Sequence, residues 1–97
     1  MTRVDLAVSA VEDLDSLIAA LSLPADTRRR VRSCLGSLER FPRLGPELSG
    51  RWTGLRFLLG PWRWMLLVYH SDENADRVVV VTIQDARSSA ATTASSP

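Results

Sequence analysis

The sequence contains no lysine: all twelve basic residues of the 97-residue chain are arginines. Arginine stays protonated at neutral pH, so none of the twelve can act as a general base, yet each offers planar, bidentate donors to a carboxylate or phosphate. A single cysteine, Cys34, excludes an internal disulfide, and a single histidine, His70, leaves no Cys/His set with metal-site spacing. Long apolar runs are missing too. No segment approaches the roughly 18 apolar residues of a membrane span, and "MTRVDLAVSAVEDLDSL" at the N-terminus carries acids where a signal peptide needs an apolar run. A cytoplasmic protein with no membrane attachment, metal or cofactor is the expectation. Net charge is only +1, so any nucleic-acid site has to come from local clustering of arginines.

What is present fits one modest core: 45% of the residues are hydrophobic, in a chain close to the size at which stability becomes marginal. "RVDLAV", Arg3 to Val8, alternates polar and apolar residues and predicts a short strand. Ser9 and Glu12 have the spacing of a capping box, with Val11, Leu14, Ile18 and Leu21 forming an apolar face behind it. After the break at Pro24, a second helix is predicted from about Ala25 to Arg40, with Val31, Cys34, Leu35, Leu38 and Phe41 as its apolar stripe and Arg28, Arg29, Arg30 and Arg32 crowding its first half. The two make an antiparallel αα-hairpin. "PRLGPELSGRWTG", Pro42 to Gly54, has turn formers and no period, so it reads as a loop. Three strands follow, at about 54 to 59, 62 to 70 and 78 to 85. The end, "SSAATTASSP", is too poor in large apolar residues to pack, which divides the chain into a domain over 1–87 and a disordered tail over 88–97. The predicted class is α+β, with the N-terminal strand and αα-hairpin packed on an antiparallel sheet.

Two arginines stand inside the most apolar stretch, "GLRFLLGPWRWMLLVYH". A two-residue Gly60-Pro61 turn of type II′ pairs Leu59 with Trp62, Leu58 with Arg63 and Arg56 with Met65, which makes Arg56 and Arg63 diagonal neighbours, roughly 7 to 8 Å apart. If "SDENADR" is the whole of the next loop, His70 faces Val78 and Arg63 faces Asp85, and Asp85 and Arg87 join the same side; a one-residue slip moves them to the other. Leu55, Phe57, Leu59, Trp62, Trp64, Leu66, Val68, Val78 and Val80 are then the helix-facing set. The second face carries Arg56, Arg63, Asp85 and Arg87 beside Met65, Leu67, Tyr69, Val79 and Val81. Guanidiniums so placed need acidic partners or an anionic ligand.

The order of these features resembles the RelE/ParE superfamily of bacterial type II toxins: a strand, an αα-hairpin, "LERFPRLGPELSG", "GLRFLLGPWRWMLLVY" and a closing "DRVVVVTIQDAR", over about Val4 to Arg87. The resemblance implies a microbial RNase fold, a cognate antitoxin as protein partner, and either ribosome-dependent cleavage of messenger RNA or inhibition of DNA gyrase. It implies that Arg63, in "GPWR", contacts the scissile phosphate, that Arg56 helps hold it, and that Arg87 completes the site. Asp85 is the nearest candidate for proton transfer, with Tyr69 and His70 as alternatives, and Arg51 beside Trp52 is a candidate RNA contact. RelE-like enzymes end in a stretch of the form HRRxVY, where this chain has "QDARSSAATT", closer to the HGAR style of ParE-like members. An inactivated relative kept for antitoxin binding is the third reading.

Structural readings stand beside these. Arg63 and Asp85 can form a plain ion pair; His70 reads as a solvated strand end, and Trp62 and Trp64 as core. The Arg28 to Arg32 run reads as a solvated face.

Overall fold

The structure is a computed structural model that describes residues 1–87; the predicted tail lies outside them. The chain runs β1 (Arg3–Leu6), α1 (Val8–Leu21), α2 (Thr27–Leu35), a 3-10 turn (Gly36–Glu39), a second 3-10 turn (Gly50–Trp52), β2 (Arg56–Leu59), β3 (Met65–Asp72) and β4 (Arg77–Asp85). The predicted α+β architecture holds, with one correction to the sheet. β2, β3 and β4 form an antiparallel meander, but β1 adds to the far edge parallel to β4, so the sheet is mixed, in the order β1-β4-β3-β2. A parallel neighbour requires a long connection, and the whole helical hairpin with β2 and β3 supplies it.

Helix α1 starts two residues earlier than its capping box predicts. Ala7 is the N-cap and makes no side-chain cap, while the Ser9 hydroxyl donates to the Val81 carbonyl. Asp13 on the next turn accepts from the Thr82 hydroxyl and from the Ile83 N–H. Because β1 stops pairing at Val80, β4 leaves edge groups unpaired beyond that point, and α1 satisfies them. Helix α1 closes on Ser22 in the left-handed region, φ 50°. The second helix is shorter than predicted, its end tightening into the 3-10 turn. Its arginines lie at the surface and are partly neutralised: Arg28 pairs with Asp15, and Arg29 and Arg30 with Asp26.

Val78 and Val80 face the helices as expected, but β2 and β3 turn the opposite side to them from the one expected. Met65, Leu67, Tyr69, Val78, Val80 and Ile83 pack against Ala10, Leu14, Val31, Leu35 and Leu38. Phe57, Leu59, Leu66 and Val68 alternate to the opposite side, by their pairing with one another and with Thr82 and Gln84. A bulge in β4 lets the β3 and β4 members of the helix-facing set share one face. Met65 pairs with Asp85 and Val68 with Thr82, but Tyr69 pairs with Val80, leaving Val81 extra. That single residue brings Val78 and Val80 onto the side of Leu67 and Tyr69. His70 consequently faces Val79, one residue from the expected Val78.

The β2–β3 connection is also corrected. Leu59 pairs with Leu66, so Gly60 to Trp64 form a five-residue loop where a two-residue turn was expected. Gly60 N–H donates to the Met65 carbonyl (2.8 Å) and Met65 N–H to that of Trp62 (3.0 Å). The longer loop lets Trp62 and Trp64 stack, centroids 5.9 Å apart, and pack against the end of the core. Their core role is as expected; their place on a strand is not.

Candidate functional site

The loop from Gly60 to Trp64 lies beside the end of β4, and the Ala86 N–H donates to the Trp64 carbonyl (2.6 Å). That bond brings the residues after β4 over the tryptophans. The Arg87 guanidinium lies over the Trp64 ring, 4.7 Å from its centroid. It also forms a two-point pair with Asp85: Nε donates to Oδ1 at 3.0 Å and Nη2 to Oδ2 at 2.9 Å. The Arg87 backbone N–H adds a third bond to the same carboxylate, at 2.9 Å. Asp85 is largely covered and Arg87 largely open, with side chains 19% and 61% exposed. Arg63 is exposed in the loop, next to Trp64 in sequence, and carries no ion pair or side-chain hydrogen bond among the described residues.

The electrostatics follow from this geometry. Hydrogen bonds from Arg87 hold the Asp85 carboxyl below its ordinary value and push the Arg87 guanidinium up. Both Asp85 oxygens are engaged by a permanent cation, so this carboxylate is fixed in its ionised form, a poor arrangement for relaying protons near neutrality. The expected Arg63–Asp85 pair does not form, because the register places Asp85 opposite Met65 and Arg63 in the loop.

Arg56 lies elsewhere. It pairs with Tyr69, four residues along β3 from Met65, a separation of about 13 Å along the strand at ~3.3 Å per residue. Its guanidinium anchors the preceding loop: Nη1 donates to the carbonyls of Gly45 (2.8 Å) and Arg43 (3.4 Å), and Nη2 to Glu47 (3.0 Å). The same loop adds a short edge to β2, through the Glu47–Arg56 bridge and a bond from Leu48 N–H to the Leu55 carbonyl (2.8 Å). The Tyr69 hydroxyl, fully buried, accepts the Gly45 N–H at 2.9 Å. Burial raises this phenol above its ordinary value, and it faces the loop instead of the Arg87 cluster. Arg51 sits on this loop, its guanidinium 5.6 Å from the Trp52 ring centroid. His70 is an exposed strand residue facing Val79.

The proposed residues therefore fall into two groups: Arg63, Asp85 and Arg87 around the tryptophans, and Arg56 with Arg51 on the β2 side. Sequence reasoning missed Trp64 as the support of Arg87. The pairing of Trp64 with the end of β4 sets that contact, and strand alternation carries no signal for it. Among the described residues no group of three or more His, Cys, Asp or Glu side chains could hold a metal ion, and no helix is long and apolar enough to cross a membrane.

No protein-family profile matches this sequence, and no curated protein matches it as a sequence relative. Solved structures do match it. The RelBE2 toxin–antitoxin complex of Mycobacterium tuberculosis contains a chain with a TM-score of 0.62 at 21% identity, over 87% of this chain and 90% of that one. A metal-bound toxin from Helicobacter pylori gives a TM-score of 0.63 at 16% identity, and a copper-bound mutant toxin from the same organism 0.63 at 21%; both matches cover 88% of this chain and 94% of the other. The chain shares the RelE-like toxin fold.

Proposed function

We propose that this protein is the toxin of a type II toxin–antitoxin pair and a ribosome-dependent messenger-RNA endonuclease, neutralised by a cognate antitoxin. The observation that carries the reading is the arginine site at the end of the sheet. Arg87, braced on Trp64 and Asp85, and Arg63, unpaired among the described residues, present open guanidiniums on a RelE-like fold, one of whose likenesses is a chain of a toxin–antitoxin complex. When the 2′-oxygen of RNA, its proton passing to water, attacks the adjacent phosphate, the P–O5′ bond breaks to leave a 2′,3′-cyclic phosphate and a 5′-oxygen that takes a proton from water, and negative charge grows on the phosphoryl oxygens on the way. Guanidiniums held in place stabilise it and hold the attack in line without a proton carrier of their own. Arg63 and Arg87 are the residues for that role. Asp85 acts through Arg87, while Arg56, on β2, anchors the preceding loop on which Arg51 sits, apart from this cluster.

One observation favours a second reading. Asp85 is committed to Arg87 through both oxygens, and no other acid–base group joins the cluster among the described residues, as suits a ParE-like protein that inhibits DNA gyrase by binding. Induced expression separates the two. The endonuclease gives new 5′ ends in messenger RNA by primer extension and an early stop in translation. The gyrase inhibitor gives intact messages, loss of DNA supercoiling and induction of the DNA-damage response.

A further inference from the structure

We propose that Trp64 is a positioning residue for Arg87: its ring, with the Asp85 carboxylate, fixes the guanidinium so that its outer edge is a preformed seat for a phosphodiester. The assignment follows from counting donors. Asp85 engages Nε and one hydrogen of Nη2, which is one edge of the plane, and the Trp64 ring covers one face at 4.7 Å. Nη1 and the second Nη2 hydrogen form the remaining edge. Nothing among the described residues engages that edge, and the side chain is 61% exposed. Two parallel N–H donors on one edge match two phosphate oxygens.

The support is itself rigid. Trp64 stacks on Trp62, with ring planes 14° apart, and both pack against the core. Its carbonyl is tied to Ala86, one residue before Arg87. A guanidinium held on one face and one edge before the ligand arrives does not have to be ordered by the ligand, and preorganisation of this kind strengthens binding without adding a contact. Arg63 has no such brace among the described residues, and Arg56 is occupied by the loop carbonyls. Phosphate affinity should therefore depend on Arg87 and, through it, on an uncharged side chain that touches no ligand. The inference rests on the proposed phosphate-binding role of this site, but not on cleavage.

The test is binding of the full chain to a fluorescein-labelled twelve-nucleotide oligouridylate at low salt, by anisotropy, with melting curves for each variant. Arg87→Ala is expected to weaken binding about tenfold and Trp64→Leu about fivefold, while Trp64→Phe, which keeps an aromatic face, stays within about twofold of wild type. In the Arg87→Ala background, Trp64→Leu should cause no further loss, because its effect passes through the guanidinium. An equal loss from Trp64→Leu in both backgrounds, or absence of oligouridylate binding by the wild type, overturns the proposal. If Trp64→Leu does not fold, the wild-type Arg87 Nε–H resonance decides: a ring-shifted, exchange-protected signal supports the brace, and a signal at the free-arginine position refutes it. Binding that follows this pattern without messenger-RNA cleavage in cells would refute the endonuclease reading and leave this inference standing. Cleavage by the wild type with oligouridylate affinity indifferent to Trp64 would do the reverse.

Discussion

Replacing Arg56 with alanine should cost stability. Its side chain is 21% exposed and supplies the donor to the Gly45 carbonyl at 2.8 Å, a weaker one to Arg43 at 3.4 Å, and an ion pair with Glu47 at 3.0 Å. Glu47 is 67% exposed, so the ion pair itself is worth at most about 0.5 kcal/mol after screening. The larger part is the Gly45 carbonyl, left without its charged donor beneath the loop, for which hydrogen bonds to charged groups set a scale of about 1.5–3 kcal/mol. Arg56→Ala is therefore expected to destabilise by about 2 kcal/mol, or about 10 °C in melting temperature for a domain of this size. Glu47→Gln should shift the melting temperature by less than about 3 °C. Thermal unfolding by circular dichroism reads both. An Arg56→Ala protein that melts with the wild type but has lost toxicity would refute the structural role and return Arg56 to the phosphate site.

Three further outcomes follow from local geometry. Tyr69→Phe leaves the buried Gly45 N–H without its acceptor and should cost about 1–3 kcal/mol; because burial raises the Tyr69 phenol, its stabilisation is complete below the unfolded value near 10.0 and is lost as pH rises through the folded one, so the variant should show a flatter alkaline limb in urea melts. Ser22→Gly relieves a left-handed residue at the end of α1 and should raise stability by about 0.5–1 kcal/mol, measurable as a higher urea midpoint at unchanged slope. Asp85 has its folded pKa held below the ordinary 3.8, so its pair with Arg87 is intact above that value and is lost only as pH falls through the folded one. A pH profile of messenger-RNA cleavage should therefore show no Asp85-dependent inflection between about pH 5 and 8, and one that disappears in Asp85→Asn would make Asp85 the proton carrier.

The elements were readable because each rests on local chemistry: the apolar stripes of α1 and α2, Pro24 between them, and the β-branched run of β4. Which face of β3 joins Val78 and Val80 against the helices was not. That depends on Val81 bulging out between Thr82 and Val80, and no residue type in "RVVVVTIQD" marks the position. The hairpin failed for a related reason. Gly-Pro is chemically suited to a two-residue turn, but the gain from stacking Trp62 on Trp64 and seating both on the core is tertiary. Shifting the β2–β3 register by four residues kept the faces of that pair while separating Arg56 from Arg63. The identities of Arg63, Asp85 and Arg87 as candidates came from residue type and resemblance. Their actual grouping, with Trp64 and without Arg56, follows from the turn and the bulge.

The most direct test of the central claim is a reconstituted translation reaction programmed with a defined messenger RNA, to which the purified protein or its folded Arg63→Ala, Arg87→Ala and Arg56→Ala variants are added. Primer extension then maps any new 5′ ends. The account predicts cleavage by the wild type only when ribosomes are present, loss of at least about a hundredfold in rate for Arg63→Ala and Arg87→Ala, and, below its melting temperature, near wild-type cleavage for Arg56→Ala. Uncut message with the wild type, alongside inhibition of purified DNA gyrase, would contradict it.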